Sequence, residues 1–140
     1  MKRHEAREQA FILIFERSIN HDSTEEIIDA AGLSSDLIID DFAEKIALGV
    51  EKNEEILDTQ IEKNIRGWKM NRLSKVALSL LRLAIYEMMF VEDIPISVSI
   101  NEAIDFAKIY GGADDAPYIN GVLGSVAKTL EEKPADEKHD

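Results

Sequence analysis

Three histidines, His4, His21 and His139, and the adjacent carboxylates Asp40-Asp41, Glu54-Glu55 and Asp114-Asp115 are the residues with which this chain could ligate a metal or move a proton. Their spacing argues against both. No two histidines stand three or four residues apart, so no helix presents two imidazoles to one zinc ion. Carboxylates adjacent in sequence diverge on a helix, which makes these pairs solvated surface rather than acid–base couples. The absence of cysteine removes disulfides, thiolate zinc sites and thiol nucleophiles together. Gly111-Gly112 lacks the Lys and Ser/Thr that complete a phosphate loop. The expectation is a protein that is not an enzyme and has neither a cofactor nor a metal.

The first residues carry a different chemistry. Lys2, Arg3, His4 and Arg7 cluster there, and Arg3 and Arg7, at i and i+4, share one edge of any helix they form. Single-stranded RNA is held by such a cationic track together with planar groups on which bases stack, each stacked base contributing about 1–3 kcal/mol. Tyr118 is a candidate stacking group. The formal charge of −12 opposes nucleic acid if it is spread evenly, because affinity for phosphates is largely counterion release. It is not spread evenly. Residues 65–90 hold five basic groups against one acidic and residues 1–20 hold four against three, whereas residues 21–64 hold thirteen acidic against three basic. A local basic face is compatible with that distribution.

The elements that must position these residues read as helices. Ala6, Ala10, Leu13 and Ile14 form a stripe over residues 3–19, broadened by Phe11 and Phe15. Ser23 and Glu26 have capping-box spacing ahead of a short helix at 24–31, with Gly32 as its stop. Ser34 or Ser35 caps the next, which takes Leu37, Ile38, Phe42, Ile46 and Val50, and Asn53 opens another through Ile65. Arg66-Gly67-Trp68 divides two helical halves, with Trp68 a packing anchor between them. Val76, Leu80, Leu83 and Met88, with Leu78, Leu81 and Ile85, make a helix apolar nearly all round, hence central. Pro95 bends the chain, Ser97 or Ser99 caps a helix to Tyr110, and Asp114, Asp115 and Pro117 start a last one at 116–131.

No alternating run demands a sheet. The fold class is all-α, a compact bundle of about seven helices: one domain over 1–131, in halves 1–66 and 67–131, followed by a disordered acidic tail at 132–140. The apolar run Phe11–Phe15 is too short for a signal peptide. Arg82 and Glu87 interrupt the most apolar segment, so no membrane span is expected and the protein should be cytoplasmic.

Three stretches read together, AREQAFILIF, LLRLAIYEM and IPISVSINEAIDFAKIYGG leading to YINGVL, resemble the NusB family of transcription antitermination factors from Ala6 to Leu123. The resemblance implies an all-helical fold and pairing with ribosomal protein NusE. It further implies binding of boxA RNA in nascent ribosomal RNA transcripts, as part of the RNA polymerase antitermination complex. It places RNA contact on the arginine-rich start of the first helix (Lys2, Arg3, His4 and Arg7), with Arg82, Tyr118 and Asn120 near that surface. Partner contact falls on Phe15, Asn71, Arg72 and Lys75. This chain departs from the family pattern in its sparser basic arm, diluted by Glu5 and Glu8, and in Pro117, which stands where a basic residue is common. Weak RNA affinity of the isolated chain is therefore expected, which makes the partner more necessary.

Plainer roles stand beside these. The basic edge of helix 1 can be solvated surface, and Arg82 a paired arginine at the bundle edge. Tyr118 can fill the core, Asn101 and Asn120 can fix helix junctions, and Phe15 can be core. A helical adaptor or homodimer without specific RNA binding is the alternative function.

Overall fold

The structure, a computed structural model, describes residues 1–34, 38–65 and 70–132. Ser35, Leu37, the Arg66-Gly67-Trp68 division and the tail from 133 onward lie outside the described residues. Among the described residues seven α-helices run as α1 (Arg3–Asn20), α2 (Thr24–Ser34), α3 (Asp41–Lys52), α4 (Glu54–Asn64), α5 (Lys75–Phe90), α6 (Ile96–Tyr110) and α7 (Asp115–Glu132). A 3-10 turn at Met70–Arg72 precedes α5, and the described residues contain no strand.

Local chemistry explains most of the boundaries. α1 buries Ala6, Ala10, Phe11, Leu13 and Ile14 and stops at His21, whose left-handed φ of 62° lets its N–H donate to the Arg17 carbonyl at 3.0 Å. The Ser23–Glu26 capping box forms as expected: Ser23 N–H donates to Glu26 Oε1 at 2.9 Å and Glu26 N–H donates to Ser23 Oγ at 3.1 Å. Hydrogen bonding from the Ser23 backbone N–H, and then from its side chain, holds the Glu26 carboxyl below its usual range. Gly32 does not end α2, which continues to Ser34; an exposed helical glycine costs only about 1 kcal/mol and need not break a helix.

The start of α3 differs from expectation. Asp40, not a serine, is its cap, with Oδ2 accepting from Phe42 N–H at 2.9 Å. Gln9 explains the later start. Its Oε1 accepts from Asp40 N–H at 2.9 Å and its Nε2 donates to the Ile38 carbonyl at 3.3 Å, which ties the approach segment to α1. Ile38 lies outside the helix and is exposed. Ser74 caps α5 by accepting from Ala77 N–H at 3.0 Å. Neither Ser97 nor Ser99 caps α6: Pro95 holds that position, and the Ser99 hydroxyl is turned inward.

α5 is the spindle expected from its sequence. It packs against α1, α3, α4, α6 and α7 and buries Ala77 and every residue from Ser79 to Ile85. One continuous cluster, aliphatic apart from Phe11 and Phe106, joins all these helices. Gly49 lets α3 approach α5, since a β-carbon there would overlap the Tyr86 ring and hydroxyl. Among the described residues no helix is long and apolar enough to cross a membrane.

Candidate nucleic-acid interface

The start of α1 is fixed to the bundle by a buried polar network. Arg7 donates through Nε to Glu87 Oε2 and through Nη1 to Glu102 Oε1, both at 2.6 Å. Glu87 is fully buried, and its Oε1 accepts from Ser99 Oγ at 2.7 Å. His4 Nδ1 lies 2.9 Å from Glu102 Oε1, and its ring stacks on Phe106 with centroids 4.8 Å apart. Burial opposes the charge of Arg7, but hydrogen bonds and attraction from Glu87 and Glu102 outweigh it and raise the pKa above the ordinary arginine value.

Arg7 therefore departs from the expected exposed edge: its side chain is 4% exposed and its charge is matched inside the protein. Lys2 and Arg3 are exposed. Arg3 keeps the shared edge only in that both guanidinium groups face Phe42, Arg3 at 3.9 Å from the ring centroid and Arg7 at 5.8 Å.

Arg82 is engaged on another side of α5. Its Nε and Nη2 each donate to Asp58 at 2.9 Å, a fork on one carboxylate, and Nη1 lies 3.5 Å from Glu54 Oε1. Arg17 holds the same Glu54, so the end of α1 and the middle of α5 are joined through α4. Arg7 and Arg82 thus bind different helices, and the structure does not bring them together as one cationic edge.

Tyr118 and Asn120 line a groove of about 720 Å³ between α4 and α7, floored by Gly121, Gly124 and Ser125. Ser125 Oγ donates to Asn64 Oδ1 at 2.6 Å across its base. Asn120 is exposed, Tyr118 is half-buried, and burial pushes the Tyr118 hydroxyl above its ordinary pKa. Lys128 adds an exposed cation to this groove, a contribution that the sequence reading missed.

Of the residues expected to meet a partner, Asn71, Arg72 and Lys75 surround the start of α5, and all three are exposed. Phe15 is half-buried, packed on the core, with its ring 5.9 Å from that of Phe11. Ile12 and Ile19, at i−3 and i+4 from Phe15, are exposed, 39% and 50%, and extend an apolar stripe along the outer face of α1. Among the described residues no cluster of three or more His, Asp or Glu could hold a metal.

The sequence profile of the NusB family matches residues 4–128. The chain is similar to the transcription antitermination protein NusB of Clostridium novyi (strain NT), with 42% identity over 132 residues covering 91% of this chain and 99% of that one. Its structure is similar to that of NusB from T. maritima, with a TM-score of 0.80, 33% identity and coverage of 91% and 92% of the two chains. It is also similar in fold to a chain from the crystal structure of antitermination factors NusB and NusE in complex with dsRNA. That match has a TM-score of 0.79, 23% identity and coverage of 92% and 99%.

Proposed function

The chain belongs to the NusB family, and from that premise we propose that it is an RNA-binding transcription antitermination factor that pairs with ribosomal protein NusE on boxA-type RNA of nascent ribosomal RNA transcripts. It would act in the cytoplasm within the RNA polymerase antitermination complex. The match of the family profile to residues 4–128 carries the reading.

Within it, the roles of the basic residues divide. Lys2 and Arg3, with the partly exposed His4, project from the start of α1 and meet phosphates, while Tyr118 and Asn120 offer a ring and an amide on α7. Arg7 and Arg82 position this surface by holding helices rather than by touching RNA, because their donors already face carboxylates. Phe15, with the exposed Ile12 and Ile19, and the polar set Asn71, Arg72 and Lys75 supply the contact with NusE.

The test is a boxA-like RNA titrated into the chain with and without NusE, beside a scrambled RNA of equal length. Tighter binding of the boxA sequence by the pair is expected. Equal binding of both RNAs would sink the reading.

The α1 stripe also favours a second arrangement, a homodimer through Ile12, Phe15 and Ile19. Sedimentation of the chain alone distinguishes the two, and NusE is expected to displace the second copy if both use that face.

A further inference from the structure

We propose that the cleft between α3 and the end of α5 is a nucleotide subsite that extends the RNA surface beyond the start of α1; the inference rests on the RNA-binding reading above. The cleft encloses about 650 Å³ and is lined by Arg3, Phe42, Lys45, Tyr86, Met89 and Phe90. That volume lies within the range of roughly 300–1,000 Å³ usual for small-ligand sites.

One wall is cationic. The Arg3 guanidinium lies 3.9 Å from the Phe42 ring centroid, and Lys45 stands one turn further along α3 at i+3 from that phenylalanine. Both are exposed, and neither forms an ion pair among the described residues. The facing wall is aromatic. The Tyr86 and Phe90 rings lie 5.1 Å apart, and Phe90 is 42% exposed at the last position of the central helix α5.

An exposed aromatic ring beside two cations that no carboxylate pairs is the combination that holds an unpaired nucleotide: the base stacks and the phosphate meets the positive charge. An apolar peptide would use the rings but leave both cations unmatched, so the chemistry favours RNA. Glu92 and Asp93, on the turn after α5, also line the cleft. They repel a phosphate near them and thus orient the nucleotide, with its phosphate at Arg3 and Lys45 and its base over Phe90.

The experiment uses the complex of the full chain with NusE and two boxA-type RNAs, one core sequence and one extended by three nucleotides at each end. Wild type is expected to bind the extended RNA more tightly. Phe90→Ala should remove that gain, a loss of about 5- to 20-fold on the extended RNA alone, in line with a stacked base. Lys45→Ala, a change at an exposed residue that leaves folding unaffected, should lower the slope of log affinity against log salt by about 0.7. Unchanged affinity and slope in both variants overturn the proposal. So does weaker NusE association with RNA affinity of the formed pair unchanged, which would make the cleft a protein contact. Failure of wild type to prefer boxA over scrambled RNA sinks the antitermination reading separately, because losses in Phe90→Ala and Lys45→Ala are still measured on whichever RNA binds.

Discussion

Arg3 and Arg7 lie one helical turn apart on α1, yet their surroundings give them opposite tasks. The guanidinium of Arg7 is desolvated and matched by Glu87 and Glu102, so removing one partner strands a buried charge. Such a loss costs about 3–5 kcal/mol. Arg7→Ala and Glu87→Gln are each expected to lower stability by an amount in that range, measured by urea denaturation. Arg3→Ala should leave the denaturation midpoint within a few tenths of a molar of wild type while weakening RNA binding. The reverse pattern would show that the roles have been exchanged. Nothing local distinguishes these two arginines in the sequence: the partners of Arg7 stand 80 and 95 residues downstream, and only Glu87, a lone acid inside an apolar helix, hints at a buried counter-charge. The cap of α2 was legible because Ser23 and Glu26 satisfy each other within four residues. The cap of α3 was not, because Gln9 on another helix selects Asp40 over the nearby serines.

At the scale of elements, two close approaches set the geometry of the bundle. α3 touches α5 where Gly49 faces Tyr86, and an added methyl must displace that ring. Gly49→Ala should destabilise by about 1–3 kcal/mol, the usual cost of overpacking, seen as a lowered thermal midpoint. Gly49→Ala combined with Tyr86→Ala should recover part of that loss relative to Tyr86→Ala alone if the overlap is its cause. α1 and α6 are joined by Tyr110, whose hydroxyl donates to Glu8 Oε2; that bond and, to a lesser extent, burial raise the tyrosine pKa. A folded pKa above the unfolded value means that this stabilisation is fully present below the unfolded pKa of about 10 and is lost as pH rises through the folded value. Stability should therefore fall on that alkaline limb, and Tyr110→Phe should flatten it, as read by denaturation between pH 8 and roughly pH 11. A limb of unchanged steepness in Tyr110→Phe would assign the alkaline loss to other groups.

For the whole molecule, net charge is a poor guide to its partner. The chain is acidic overall, but its negative groups are concentrated between residues 21 and 64, and several are already used internally: Glu54 and Asp58 hold Arg17 and Arg82. The acidic chain should thus still bind RNA with an affinity that falls with salt. The slope for the NusE complex should drop when Lys2 and Arg3 are both changed to alanine, by about 0.7 for each phosphate that is no longer neutralised. The all-helical architecture and the central α5 were legible in the apolar pattern, because periodicity reports burial directly. Which charged groups turn inward was not, since that depends on pairings the pattern does not encode.

The Arg7 network also bears on synthesis. The N-terminal helix leaves the ribosome with a cation whose two carboxylates have yet to be translated, and its place in the bundle is settled only once Glu102 has emerged. A nascent chain ending just before that point has Glu87 for Arg7 but lacks the second carboxylate, and α6 is not yet there to complete the network. The start of α1 thus reaches its final setting late, after most of the polypeptide has been made.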